Sequence, residues 1–203
     1  KEPEFVSRNH AKAKLALGDA LLCAHGRYSA SFRERARRLD ELEGGGQLVD
    51  AVRRCHREGV NFRLRPEVPD LSWSDWVEEN RCLSKLWVQV FLDIEGRRLG
   101  TSFHTVGDYA QYRGRICREV PLWKAPIFAI RDLIRHHRCL RPIWDYPRSG
   151  LLRALSCLID PDCSRVVRSV GKFLPGPARG NRKSLQTAAD WERDYCGWWR
   201  RYS

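Results

Sequence analysis

Residues 74–94 read SDWVEENRCLSKLWVQVFLDI, and the spacing of their apolar side chains decides the fold class. Trp76, Val77, Leu83, Leu86, Trp87, Val90, Phe91 and Ile94 recur largely at intervals of three and four, which lines one stripe of an α-helix. Ser74 stands ahead of them as the expected N-cap, and Gly96 and Gly100 follow as the expected stop. A run this long and this apolar predicts the central helix of a helical fold.

Toward the N-terminus the same period persists. In 4–24, Phe5, Ala13, Ala16, Leu17, Ala20, Leu21 and Ala24 mark an amphipathic helix that stops at Gly26. Ser31-x-x-Glu34 reads as a capping box opening a helix to 43, broken by Gly44-Gly45-Gly46. A third helix spans 47–58 and is expected to end at Gly59. The stretch 63–71, with Pro66 and Pro69, reads as a connector and subdomain boundary. Toward the C-terminus, helices are expected at 105–119, 126–139, 151–159, 161–173 and 184–202, with Pro126 and Pro161 at first helical positions. The loop 174–183 is basic and rich in Pro and Gly, a lid or a linker. No segment alternates with period two, and there is no internal repeat. The expected fold is all-α: an antiparallel helical bundle at the N-terminal end with an additional helical layer built around Trp76–Ile94. Its expected parts are 1–62 and, packed on it, 72–203, with one continuous domain as the alternative.

Composition narrows the function. The 203 residues are 42% hydrophobic with eight Trp, enough for a sizeable core. The apolar runs at 86–94 and 121–130 are too short for a bilayer span and are interrupted by Gln89, Asp93 and Lys124, so no membrane partner is expected. The eight cysteines include no C-x-x-C pair. Most stand among apolar residues and read as reduced core thiols of a cytoplasmic protein. The chain opens at Lys1 and holds no Met, as a segment of a longer protein would. Its 37 Lys+Arg against 25 Asp+Glu leave +12, a field that attracts nucleotides, nucleic acid or an acidic protein surface. The same excess spread over separate helix faces would attract none of them in particular.

Chemistry-bearing motifs are sparse. Residues 131–137 read RDLIRHH. Arg131 with His136 or His137 would form a pair suited to RNA cleavage, the histidine moving protons and the arginine holding phosphate. Five and six positions apart, neither histidine stacks over Arg131 on a regular helix. Cations in a last helical turn also serve the helix dipole without any chemistry. Trp191, Trp198 and Trp199 among Arg193, Arg200 and Arg201 suit base stacking or the docking of a final helix on the core. Asp19 is a candidate to face a substrate amine or hydroxyl, or else a paired surface carboxylate.

The segment 16–35, ALGDALLCAHGRYSASFRER, resembles the helical bundle that accompanies polymerase-β-type nucleotidyltransferases, as in the second domain of kanamycin nucleotidyltransferase and in HEPN domains. A long helix there ends in a small-residue, Gly, aromatic turn, matched here by Gly26-Arg27-Tyr28, with the second helix following at once. The resemblance covers about the first third of the chain. It implies a noncatalytic helical domain that binds a substrate or partner, with Asp19 and Tyr28 as substrate-binding positions and a nucleotidyltransferase core outside this chain. Ribonuclease members of the HEPN group carry an Arg a few residues before a His, which by resemblance would make Arg131 and His136 or His137 catalytic. A nucleotidyltransferase core needs a Gly-Ser turn and paired acidic residues for two metal ions. Gly18-Asp19 and Gly107-Asp108 have no second Asp two positions on, and Gly44-Gly45-Gly46 has no lysine after it. No metal ligand set and no cofactor is expected. The readings that remain are the noncatalytic binding domain, a metal-independent HEPN-type ribonuclease, and a basic helical adaptor.

Overall fold

The computed structural model describes residues 2–44, 46–136, 146–161 and 188–202, which form eight α-helices with no strand among them. These are α1 (Pro3–Ala24), α2 (Phe32–Asp40), α3 (Gly46–Leu64), α4 (Trp73–Leu99), α5 (Val106–Gln111), α6 (Lys124–His136), α7 (Pro147–Ile159) and α8 (Ala188–Tyr202). The fold is all-α, and no described helix is long and apolar enough to cross a membrane. The chain divides into two compact units, Lys1–Ser102 and Phe103–Ser203.

In the first unit α1 packs on α3, α2 and α4. Its Leu17, Leu21 and Leu22 join Leu39, Leu42, Val49, Val52, Leu83 and Val90 in one buried cluster, each full side-chain burial contributing roughly 1.5–3 kcal/mol. The heart of this unit is therefore α1, with α4 packed on it, rather than α4 itself. Two glycines set how closely α1 and α3 approach. A Cβ on Gly18 would overlap the His56 ring, and one on Gly59 would lie 2.9 Å from the Ala11 carbonyl oxygen and 2.9 Å from Leu15 Cγ. The expected stop at Gly59 is thus a packing position, and α3 runs on to Leu64. Gly96 is likewise interior to α4; the helix ends at Gly100, whose φ of 64° is left-handed.

The cap of α4 is Ser72 rather than Ser74. Ser72 Oγ accepts from Asp75 N at 3.3 Å while Asp75 Oδ2 accepts from Ser72 N at 3.0 Å, a reciprocal box that needs Asp at the third helical position. Ser74 Oγ only meets Ser72 Oγ, at 2.7 Å. Ser31 does cap α2, accepting from Glu34 N at 3.4 Å. The Glu34 carboxylate turns to Arg37 and Arg38 instead of closing the box, and those guanidinium bonds hold its pKa at about 2. The proline-bearing connector after α3 lies inside the first unit, since α4 packs on α1 and α3.

In the second unit α7 packs on α5 and α8, around Tyr109, Ile116, Cys117, Leu151, Ala154, Cys157 and Trp198. The helix expected over 105–119 is shortened to Val106–Gln111. Arg153 Nη1 takes the carbonyls of Ala110 at 2.8 Å and Tyr112 at 2.5 Å, and the Tyr112 ring sets edge-on against Phe103 at 5.4 Å. The chain leaves the helix because a side chain from α7 satisfies its last carbonyls. Trp198 is buried and Trp199 stacks on Tyr195 at 6.0 Å, so α8 docks through its aromatics. Burial pushes the Tyr195 hydroxyl up to about 12. The expected helix 161–173 and loop 174–183 lie outside the described residues, as do Cys139 and Cys163.

Candidate functional site

The first unit holds a cleft of about 870 Å³ between α1, the end of α3 with the connector after it, and the start of α4. Ser7, His10, Ala11 and Lys14 face it from α1, spaced three, four and seven positions from the first and so on one helical face. Glu58, Asn61 and Phe62 line it from α3, Leu64, Arg65, Glu67, Val68 and Pro69 from the helix end and connector, and Trp76 and Glu79 from α4. Its size falls in the range of small-molecule sites.

Charge at the buried end of the cleft is paired, while Arg65 and Glu67 stand exposed at its rim. Lys14 Nζ donates to Glu58 Oε2 at 2.8 Å and Glu79 Oε1 at 2.5 Å. Burial pulls the Lys14 pKa down, but the hydrogen bonds and charges of Glu58 and Glu79 outweigh it and hold the ammonium above its ordinary value. His10 Nδ1 lies 3.5 Å from Glu79 Oε2 without hydrogen-bond geometry, and its ring meets Trp76 edge-on at 5.2 Å.

Beside the paired charges stand polar atoms with no hydrogen-bond partner among the described residues: Ser7 Oγ, His10 Nδ1 and Trp76 Nε1. The three residues are 4%, 9% and 5% exposed. A buried donor left unpaired costs on the order of 1–3 kcal/mol, so three on the walls of one cleft is an arrangement that a bound group would relieve.

A second polar cluster lies deeper. The Arg35 guanidinium, itself buried, bonds Asp19 Oδ2 and sits 4.3 Å from the Phe32 ring centroid and 5.3 Å from that of Tyr28. His56, fully buried, has Nε2 3.9 Å from Asp19 Oδ1 and no hydrogen bond to either ring nitrogen among the described residues. Burial lowers its pKa below the ordinary histidine value, with Asp19 opposing and Arg35 assisting. The two sequence-predicted binding positions therefore meet through Arg35. Asp19 has its carboxylate engaged by that residue, while Tyr28 remains half-exposed. Arg38 pins the turn between them by donating to the carbonyls of Arg27 and Tyr28, each at 3.1 Å.

Arg131 and His136 lie on α6, but their side chains, and His137 altogether, are outside the described residues. The reading from sequence missed Ser7, His10, Lys14, Trp76 and Glu79. The spacing of Ser7, His10 and Lys14 on α1 was legible as one polar stripe, yet such a stripe looks the same on a solvated face. Among the described residues Cys23, Cys55, Cys82 and Cys196 are free thiols, Cys55 half-buried and the other three exposed, and Cys117 and Cys157 are buried. The core reading of the cysteines thus holds for two of these six, because the exposed three stand on helix faces turned to solvent. No group of His, Cys, Asp and Glu that could hold a metal ion occurs among the described residues. Comparison of the chain with protein-family models, curated proteins and solved structures finds no match.

Proposed function

We propose that this chain is a noncatalytic helical binding domain, the substrate- or partner-binding part of a nucleotidyltransferase-like protein, with the α1/α3/α4 cleft as the place where its ligand seats. One observation carries the binding reading: Ser7, His10 and Trp76 line the same cleft, all at least nine-tenths buried, each with a polar atom lacking a partner among the described residues. The nucleotidyltransferase part is supported by residues 16–35, where the Gly-aromatic turn and the Asp19–Arg35 pair join the first two helices. The free thiols support a reducing, cytoplasmic setting.

The binding part is tested by a fragment screen on the whole chain, read in amide spectra. Saturable shifts confined to residues 7–14, 58–69 and 76–79 support it, and a screen in which no fragment moves them overturns it. The family part is tested by the reading frame. A Gly-Ser turn followed by paired acidic residues upstream of Lys1 supports it, and a frame opening near Lys1 sinks it.

A second reading, the basic adaptor for nucleic acid, is favoured by how charge is distributed. Residues 103–203 hold 19 Lys+Arg and 9 Asp+Glu, net +10, against 18 and 16, net +2, in residues 1–102. Salt-sensitive RNA binding by the chain would support this reading for the second unit. Metal-independent RNA cleavage lost in His136→Ala would replace both readings with the ribonuclease.

A further inference from the structure

We infer that the cleft of the first unit takes an uncharged ligand of the amide or carbonyl class, with an acceptor oxygen for Trp76 Nε1 and Ser7 Oγ and an apolar body against the connector. This inference rests on the proposed reading of the cleft as a ligand site and names the chemistry of what enters it.

Formal charge is the first constraint. Lys14 is held between Glu58 and Glu79, and His10 faces the second oxygen of Glu79 at 3.5 Å. At this buried end an anionic ligand would have to take Lys14 from two carboxylates, and a cationic ligand would have to take the carboxylates from Lys14; Arg65 and Glu67 stand outside it at the exposed rim, with opposite charges. Either exchange breaks charge-assisted bonds, which are stronger than neutral ones.

What remains unpaired at the buried end is neutral, and its polarity is one-sided. The indole nitrogen of Trp76 only donates, and the Ser7 hydroxyl donates or accepts as required. Both are buried without partners among the described residues. A carbonyl oxygen has two lone pairs and can accept from both. An ammonium, having no acceptor, can serve only Ser7 and leaves the indole unpaired.

The rest of the lining is mixed: Asn61, Arg65 and Glu67 stand exposed at the rim, and between them lie apolar side chains. Phe62 is half-buried, and Leu64 and Val68 are 58% and 44% exposed although they line the cleft. Large aliphatic side chains left open beside a concave wall gain by covering, at roughly 25 cal/mol per Å² of apolar surface removed from water.

The test uses three probes sharing one phenyl ring: benzamide, benzylammonium and benzoate. Each is titrated into the full chain, and the Trp76 indole N–H resonance, assigned by its loss in Trp76→Phe, is followed. Benzamide should shift that resonance saturably, with an affinity on the order of millimolar for so small a molecule. The charged probes should bind at least about tenfold more weakly, since a single charge-assisted bond lost is worth that factor. Ser7→Ala, with its helical spectrum unchanged, should weaken benzamide several-fold. A charged probe that shifts the indole at the same or lower concentration overturns the ligand class while leaving the cleft a binding site. So does benzamide binding that Ser7→Ala does not weaken or that leaves the indole unmoved. If none of the three shifts any cleft resonance, the inference fails; the wider fragment screen decides separately whether the cleft binds ligands at all.

Discussion

The two units are built from the same kind of helix but handle charge in opposite ways. In residues 1–102 more than half of the cations have a carboxylate within reach, among them Lys14 with Glu58 and Glu79, Arg35 with Asp19, Arg27 with Glu41, Arg57 with Asp40 and Arg97 with Asp93. Residues 103–203 carry about two cations for each anion. The +12 of the whole chain is an average over two different objects, and only the second has the excess that draws a polyanion by its net field. The first, close to neutral, places its unpaired polarity inside a cleft. Recognition by hydrogen bonding and recognition by charge are thus assigned to different parts of one chain.

The largest expected effect concerns the buried pair of the first unit. Arg35→Ala leaves Asp19 beside His56 without its cation and should lower unfolding stability by about 3 kcal/mol or more, seen as a fall in the urea midpoint. A change well below 1 kcal/mol would mean that the pair is solvated and that the first unit is not distinguished by internal charge pairing. Next comes Gly18→Ala. The His56 ring it would strike is fully buried and has nowhere to move, so a loss of about 1–3 kcal/mol is expected. An unchanged midpoint would break the close α1/α3 contact on which the cleft is mounted.

A smaller effect should appear with pH. The folded chain keeps His56 neutral below its ordinary pKa of 6.5, whereas the unfolded chain takes up the proton near that value. Stability from this group is therefore complete above about pH 6.5 and declines as pH falls through 6.5 toward the lower folded value. Denaturant titrations on either side of pH 6.5 should show this slope, and His56→Gln should flatten it. A slope of the opposite sign would mean that Asp19 outweighs burial. The smallest expected effect sharpens the contrast between the units. Arg113 and Arg115 are exposed on the loop after α5. Replacing each by Ala should reduce the salt dependence of single-stranded RNA binding by roughly 0.7 in log–log slope per lost phosphate contact. Arg8→Ala, which removes an exposed cation paired with Glu4 in the first unit, should leave it unchanged. Equal effects would dissolve the division of charge.

Much of the architecture was readable before any coordinates. Helices at 4–24, 47–58 and 74–94 followed from a spacing that depends only on 3.6 residues per turn, and each appears, longer than expected. The errors share one cause. Gly59 and Gly96 look like stops because glycine is free to turn, but a Cβ on Gly59 would meet the α1 backbone at Ala11, and one on Gly96 the Thr101 carbonyl where the chain folds back after α4. The helix over 105–119 looked continuous because its periodicity did continue, while Arg153, some forty positions later, ends it by taking its carbonyls.

What the sequence determined by itself is the all-α class and the start of the second helix at Ser31. These rest on interactions between neighbours along the chain, and local spacing records them. The cleft was decided by tertiary structure alone. Ser7 and His10, the end of α3, and Trp76 with Glu79 come from segments tens of positions apart, joined by the packing of α1 against α3 and α4. No local pattern marks a serine or an indole as lacking a hydrogen-bond partner, because the absence of a partner is a property of everything that surrounds the atom in space.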